Sequence, residues 1–205
     1  MPRSNLIRQN TFPYHVYTRS NNKDWFTLSM EIVWRLFIES MKESNEAIPV
    51  DLHSFVLMNN HYHLLISTPN SDLDKFMEHL NKRFSQKLRK HSQMINHKFA
   101  NRYKWTIVSA DSYLYNIYRY IYQNPIRANI CVNCQSYPYS SLRISPLEMK
   151  LKPHLDFNKH INWFETVPNH EFNQVIKTGL GKNTFGVSNR ISKPILEELN
   201  QNKVM

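Results

Sequence analysis

Two apolar runs, VDLHSFVLM at 50–58 and HYHLLIS at 61–67, flank the dipeptide Asn59–Asn60. No other feature limits the possible folds so strongly. Asparagines tolerate positive φ, so runs of this length around such a pair predict a tight β-hairpin. A lone hairpin is marginal in water and needs further strands or helices against it. The rest of the chain supplies them. Residues 13–18 (PYHVYT) are aromatic and β-branched and predict an earlier strand, followed by a loop at Asn21–Asn22. From Ser29, a candidate N-cap, Ile32, Val33, Leu36, Phe37 and Met41 recur on one helical face. After the hairpin, Ser71 and Asp74 resemble a capping box, and Leu73, Phe76, Met77, Leu80, Phe84 and Leu88 follow at helical spacing.

Residues 103–109 (YKWTIVS) predict a fourth strand. Asp111 or Ser112 then caps a third helix that Asn124–Pro125 ends, because a residue before proline avoids the helical region. The order β-α-β-β-α-β-α predicts an α+β, ferredoxin-like antiparallel sheet with helices on one face. The pattern weakens after residue 147. Residues 1–147 therefore read as one domain and 148–205 as a mainly helical or irregular C-terminal extension. Within it, 170–178 and 193–202 could form short helices, with Gly179 and Gly181 as breakers between them.

Composition matters chiefly through charge. Lys and Arg number 26 against 16 acids, a net charge of +10. The excess lies wholly in residues 79–147, where eleven cations face one acid, Asp111. That concentration fits either a solvated face or a polyanion site, since Lys and Arg supply sequence-independent contacts to phosphate. Interleaved tyrosines, Phe99 and Trp105 suit stacking on unpaired bases. Two cysteines, Cys131 and Cys134, exclude a disulfide framework, and no evident further ligands complete a zinc site. No apolar run reaches the roughly 18 residues of a membrane span, and MPRSNLIRQN lacks a signal-peptide core, so a cytoplasmic location is expected.

His61 and His63 share one face of their strand, roughly 6.5–7 Å apart along it, and can meet one cation. Ten histidines in 205 residues make such a pair close to a chance event, so a structural reading stays open on spacing alone. The third helix adds a second set. At about 100° per residue, Tyr113, Asn116, Tyr120 and Asn124 fall within about 80° of one another, while Leu114, Tyr118 and Ile121 form a separate packing side. An ordinary aromatic core helix would look much the same.

HYHLL after a hairpin, RYIYQNPIRA after a basic helix and strand, and then SYPYSS together resemble the single-tyrosine transposases of the HUH superfamily. Among them the likeness is to the REP-associated tyrosine transposases and the small insertion-sequence transposases. YHVYTRSNN is similar to the family's first strand and loop, and FANRYKW to the strand before its catalytic helix; the likeness spans about residues 13–142. The resemblance implies cleavage and rejoining of single-stranded DNA, often beside a hairpin, through a 5′-phosphotyrosine. It casts Tyr120 as nucleophile, His61 and His63 as ligands of Mg²⁺ or Mn²⁺, and Asn124 as the amide completing the metal shell. DNA contacts are expected from Arg19, Lys82, Arg83, Lys87, Arg89, Lys90, Arg102, Lys104 and Arg127.

Asn59 stands where relatives often have proline, and Tyr62 fills the middle of the histidine pair, pointing to the opposite face. Tyr113 shares the nucleophile's face and is the second candidate for its role. Two other readings remain: a domesticated hairpin-DNA-binding protein without transposition, and an RNA-binding module, although the aromatic RNA signature of such sheets is missing. Either a monomer or a homodimer fits the resemblance.

Overall fold

In the computed structural model, residues 6–92, 99, 103–109, 111–145 and 147–165 are described. The hairpin forms as strands β2 (Asp51–Leu57) and β3 (His61–Ser67). Strand β1 (Tyr14–Arg19) pairs with β3, and β4 (Lys104–Ile107) pairs with β1, all antiparallel, in the order β2-β3-β1-β4. Inserting the hairpin's second strand beside β1 is the ferredoxin-like arrangement that the element order predicts.

The turn differs from expectation in detail: neither Asn59 nor Asn60 has positive φ. Other bonds hold it instead. The Asn59 carbonyl accepts from the Phe26 amide, and the Asn60 carbonyl from the Ser20 amide, each at 2.8 Å. The Asn60 side-chain amide donates to the Lys23 carbonyl at 2.8 Å. Asn22 and Lys23 take the positive φ values, 53° and 62°, in the loop that receives these bonds.

Alternation along each strand sorts the side chains into two layers. Tyr14, Val16, Phe55, Tyr62, Leu64 and Ile66 face helices α1 (Met30–Ala47) and α2 (Leu73–Ser92), where they bury Val33, Leu36, Phe37, Phe76, Leu80 and Phe84. A register shift between Leu52 and Ser54 inserts His53 as an extra residue, so Leu52 and Phe55, three apart, both enter this layer. Tyr62 points away from the histidines as expected, and its hydroxyl donates to Asn81 Oδ1 at 2.7 Å. The helices at Ser29 and after the hairpin thus take one face of the sheet.

The third helix does not join them. Helix α3 (Asp111–Tyr122) crosses the opposite face, where Leu114, Ile117, Tyr118 and Ile121 pack on Val56, Met58, Leu65 and Val108. The cause lies in the hairpin: its strands are apolar on both faces, and an uncovered face carrying Val56 and Leu65 would stay wet. Gln123 ends α3, and Asn124–Arg127 form one further helical turn, α4, opened by Pro125. The Ser71–Asp74 capping box does not form either. Ser71 sits at φ 57°, α2 begins at Leu73, and Asp74 pairs with Arg8 through two side-chain contacts.

Residues beyond 147 complete both layers. Met149 and Leu151 join the α1–α2 core, and the Lys152 amide bonds the Leu52 carbonyl at 2.8 Å. Helix α5 (Phe157–Glu165) seats Phe164 against Tyr122, with ring centroids 5.2 Å apart, and Gln123 Nε2 donates to the Phe164 carbonyl at 2.7 Å. The helices expected at 170–178 and 193–202 lie outside the described residues.

His53 ties this last segment to the sheet. Its Nδ1 donates to the Lys152 carbonyl at 2.5 Å, which leaves Nε2 to accept from the Ser67 hydroxyl at 2.8 Å. Burial, with the neighbouring His154, lowers its pKa to about 4 from 6.5. A neutral buried imidazole favours the folded state above pH 6.5, and the unfolded chain takes up the proton first as pH falls towards 4. Within that window His53 should remove up to about 1.4 kcal/mol of stability per pH unit of acidification. Urea unfolding of the wild type and of His53→Gln, whose amide can donate and accept but does not titrate, should give slopes differing by that amount.

Candidate active site

The face of the sheet beneath α3 gathers the residues with chemistry. On β3, His61 and His63 lie with ring centroids 5.2 Å apart. Directly paired residues of antiparallel strands share a face, so Tyr17 opposite His63 and Arg19 opposite His61 join them from β1. Lys104, opposite Tyr17, adds an exposed cation on the same side. From α3, the Tyr120 ring meets His63 edge-on at 5.5 Å and His15 at 5.7 Å. The Arg127 guanidinium lies 4.9 Å from the centroid of that tyrosine ring, and Arg19 lies 5.1 Å from the Tyr17 centroid.

Hydrogen bonding fixes the orientation of His61. Asn60 spends its amide nitrogen on the Lys23 carbonyl, so its oxygen faces His61 Nδ1 at 2.6 Å. An oxygen acceptor requires the proton on Nδ1, and Nε2 then keeps its lone pair for a cation. Burial lowers the His61 pKa to about 4, aided by the Arg19 charge. His63, only 3% exposed, is held well below 6.5 chiefly by burial. Both rings are therefore neutral at neutral pH, the state that ligates metal. Asn124 donates its amide nitrogen to the Tyr120 carbonyl at 2.8 Å and the Ile121 carbonyl at 3.3 Å. Its Oδ1 is left as the side chain's atom for a cation. Among the described residues no group of three or more His, Cys, Asp or Glu could hold a metal, and His61 and His63 offer two neutral imidazoles on one face.

Burial raises the Tyr120 pKa above 10, and the charges of Arg127 and Arg19 oppose that rise. Among the described residues Arg127 Nη1 and Arg19 Nε are buried without a hydrogen-bond partner. Buried donors left unpaired beside the Tyr120 ring are costly unless a ligand satisfies them.

The structure thus brings together His61, His63, Tyr120, Arg19, Lys104 and Arg127. It puts the α2 cations on the other layer. There Arg83 pairs with Glu43 at 2.9 Å, and Lys87 with Glu43 and Glu39 at 2.9 and 3.1 Å. Lys82, Arg89 and Lys90 are exposed, with no ion pair among the described residues. Arg102 lies outside the described residues. His15 and Tyr17 escaped the sequence reading, although alternation along YHVYTR places both on the face of Arg19.

A solved REP-associated tyrosine transposase bound to a REP hairpin shares this fold, with a TM-score of 0.64 and 13% identity over 82% of this chain and 93% of that one. A Deinococcus radiodurans protein assigned as a transposase gives a TM-score of 0.41 and 14% identity over 59% of this chain and 94% of its own. No curated protein matches. The fold is thus that of the tyrosine transposases. The family model described as "Transposase IS200 like" matches residues 9–124, more than half of the 205, and the chain belongs to that family. The matched segment takes in His61, His63, Tyr120 and Asn124 and stops short of Arg127. Among the described residues no helix is long and apolar enough to cross a membrane.

Proposed function

We propose that the chain cleaves and rejoins single-stranded DNA, beside a hairpin, with Tyr120 as the nucleophile. The observation that carries this reading is the Tyr120 ring set edge-on against His63 while the Arg127 guanidinium covers its face. Such a setting suits attack on an anion. Arg19 and Arg127 bind the scissile phosphate with their unpaired nitrogens and orient phosphorus towards the Tyr120 oxygen. The hydroxyl loses its proton to solvent, its oxygen bonds phosphorus, and the P–O3′ bond breaks. The departing 3′ oxygen takes up a proton, leaving a 5′-phosphotyrosine. Rejoining runs the same exchange backwards with a 3′-hydroxyl as the attacking group, so no nucleotide cofactor is consumed. His61 Nε2, His63 Nε2 and Asn124 Oδ1 would hold Mg²⁺ or Mn²⁺, which supplies charge neutralisation at a non-bridging phosphate oxygen.

The direct test incubates the protein with a hairpin-flanked single strand labelled at either end, followed by a denaturing gel and peptide mapping. A covalent adduct at Tyr120 carrying the 3′ label is expected. Its absence with tight binding retained would favour the hairpin-binding reading.

The α2 cations fit a separate role as contacts to flanking phosphates. Each phosphate contact on a single strand contributes roughly 0.7 to the dependence of log affinity on log salt. Alanines at Lys82, Arg89 and Lys90 should flatten that slope by about two units. The cleavage rate at saturating DNA should not change, because these residues lie across the sheet from Tyr120. Arg83 and Lys87, already paired with acids, should add little. An unchanged slope would confine the strand to Arg19, Lys104 and Arg127.

A further inference from the structure

His15 is nearly buried, at 4% exposure, on the central strand β1. Its Nε2 lies 2.9 Å from His63 Nδ1, and the two rings stack with centroids 5.1 Å apart and an 18° interplanar angle. A buried bond between two neutral imidazoles needs one proton and one lone pair. Two assignments satisfy it. If His15 donates, His63 carries its own proton on Nε2 and that nitrogen is closed to a cation. If His63 donates from Nδ1, its Nε2 lone pair is open, as the Asn60 oxygen already requires of His61.

We propose that His15 is a positioning residue that accepts the Nδ1 proton of His63 and so presents His63 Nε2 to the metal. The proposal rests on the metal reading given above. His15 and Asn60 then do the same task for the two histidines, one through a ring nitrogen from the neighbouring strand and one through an amide oxygen from the turn. The histidine pair gains its tautomers from two separate pieces of the chain. The stacked contact also fixes the plane of the His63 ring. Tyr120 meets both rings edge-on, so the nucleophile is seated on the same pair.

Nitrogen-detected NMR of the metal-free protein should find the His63 ring proton on Nδ1. A proton on Nε2 would overturn the proposal without any variant. In His15→Phe, which keeps an aromatic ring but removes the acceptor, the His63 ring should lose its single tautomer. Mn²⁺ affinity, followed by electron paramagnetic resonance, should fall 10- to 100-fold, the range for partners that orient metal ligands. His15→Gln, whose amide oxygen can accept the same proton, should recover most of both signals. Wild-type Mn²⁺ affinity with an unchanged tautomer in His15→Phe would overturn the role of His15 while sparing the metal site. Mn²⁺ binding that survives His61→Ala and His63→Ala together would instead sink the metal reading, and this proposal with it.

Discussion

Tyr120→Phe should yield no covalent protein–DNA adduct, while its affinity for the same oligonucleotide stays within about twofold of wild type. The substitution removes one oxygen and leaves the ring that rests on His15 and His63. Residual hydrolysis by water would produce free ends without attachment, so the adduct band and the cleaved strand are scored separately. Loss of a covalent nucleophile commonly costs on the order of 10⁴–10⁶ in rate, which places the variant below detection. Tyr113, the other tyrosine on that side of α3, lies about two turns earlier. An adduct that persists in Tyr120→Phe and disappears in Tyr113→Phe would reassign the nucleophile.

Removing either histidine should be nearly as severe, but in a different way. His61→Ala or His63→Ala, or EDTA with the wild type, should lower cleavage by at least about 10³-fold, a typical scale for lost stabilisation of transition-state charge. Added Mn²⁺ should restore the EDTA-treated wild type and not the variants. The two sites should differ in stability. His61 lies at the edge of the turn and is half-buried, so its alanine variant should unfold close to wild type. His63 is buried under Tyr120 and bonded to His15, so truncating it leaves a cavity and an unpaired nitrogen. Urea unfolding should register a cost of about 1–3 kcal/mol for that lost partner. Full activity in EDTA would make both histidines structural.

Much of this was legible from the chain because the deciding signals are local. The apolar runs around Asn59–Asn60 define β2 and β3, and the period of Leu114, Tyr118 and Ile121 defines the packing side of α3. What escaped depends on contacts distant in sequence. YHVYTR announces a strand, but nothing within it says that His15 will lie diagonally across from His63. The basic run on α2 looks like a free polyanion site until α1 brings Glu39 and Glu43 over Arg83 and Lys87. Charge counted along a sequence cannot see that pairing. Alternation was also blurred in the hairpin, where both faces are apolar, so the need for a helix on each side did not stand out. The capping motif failed for a similar reason: Asp74 found a stronger partner in Arg8, 66 positions away.

Exposed hairpin tips usually tolerate inserted residues, since few contacts cross them. The tip at 58–60 is an exception. Its two carbonyls are tied to Ser20 and Phe26, and one side chain joins Lys23 to the imidazole of His61. A single added residue there would shift His61 out of line with Asn60 and break the bonds that tie the 20–26 loop to the turn. An affinity tag, fluorophore or linker is better placed near Val132, which is 89% exposed and lies outside every strand and helix. Engineering of the protein thus has a permissive entrance in the loop after α4 and a forbidden one at the turn between β2 and β3.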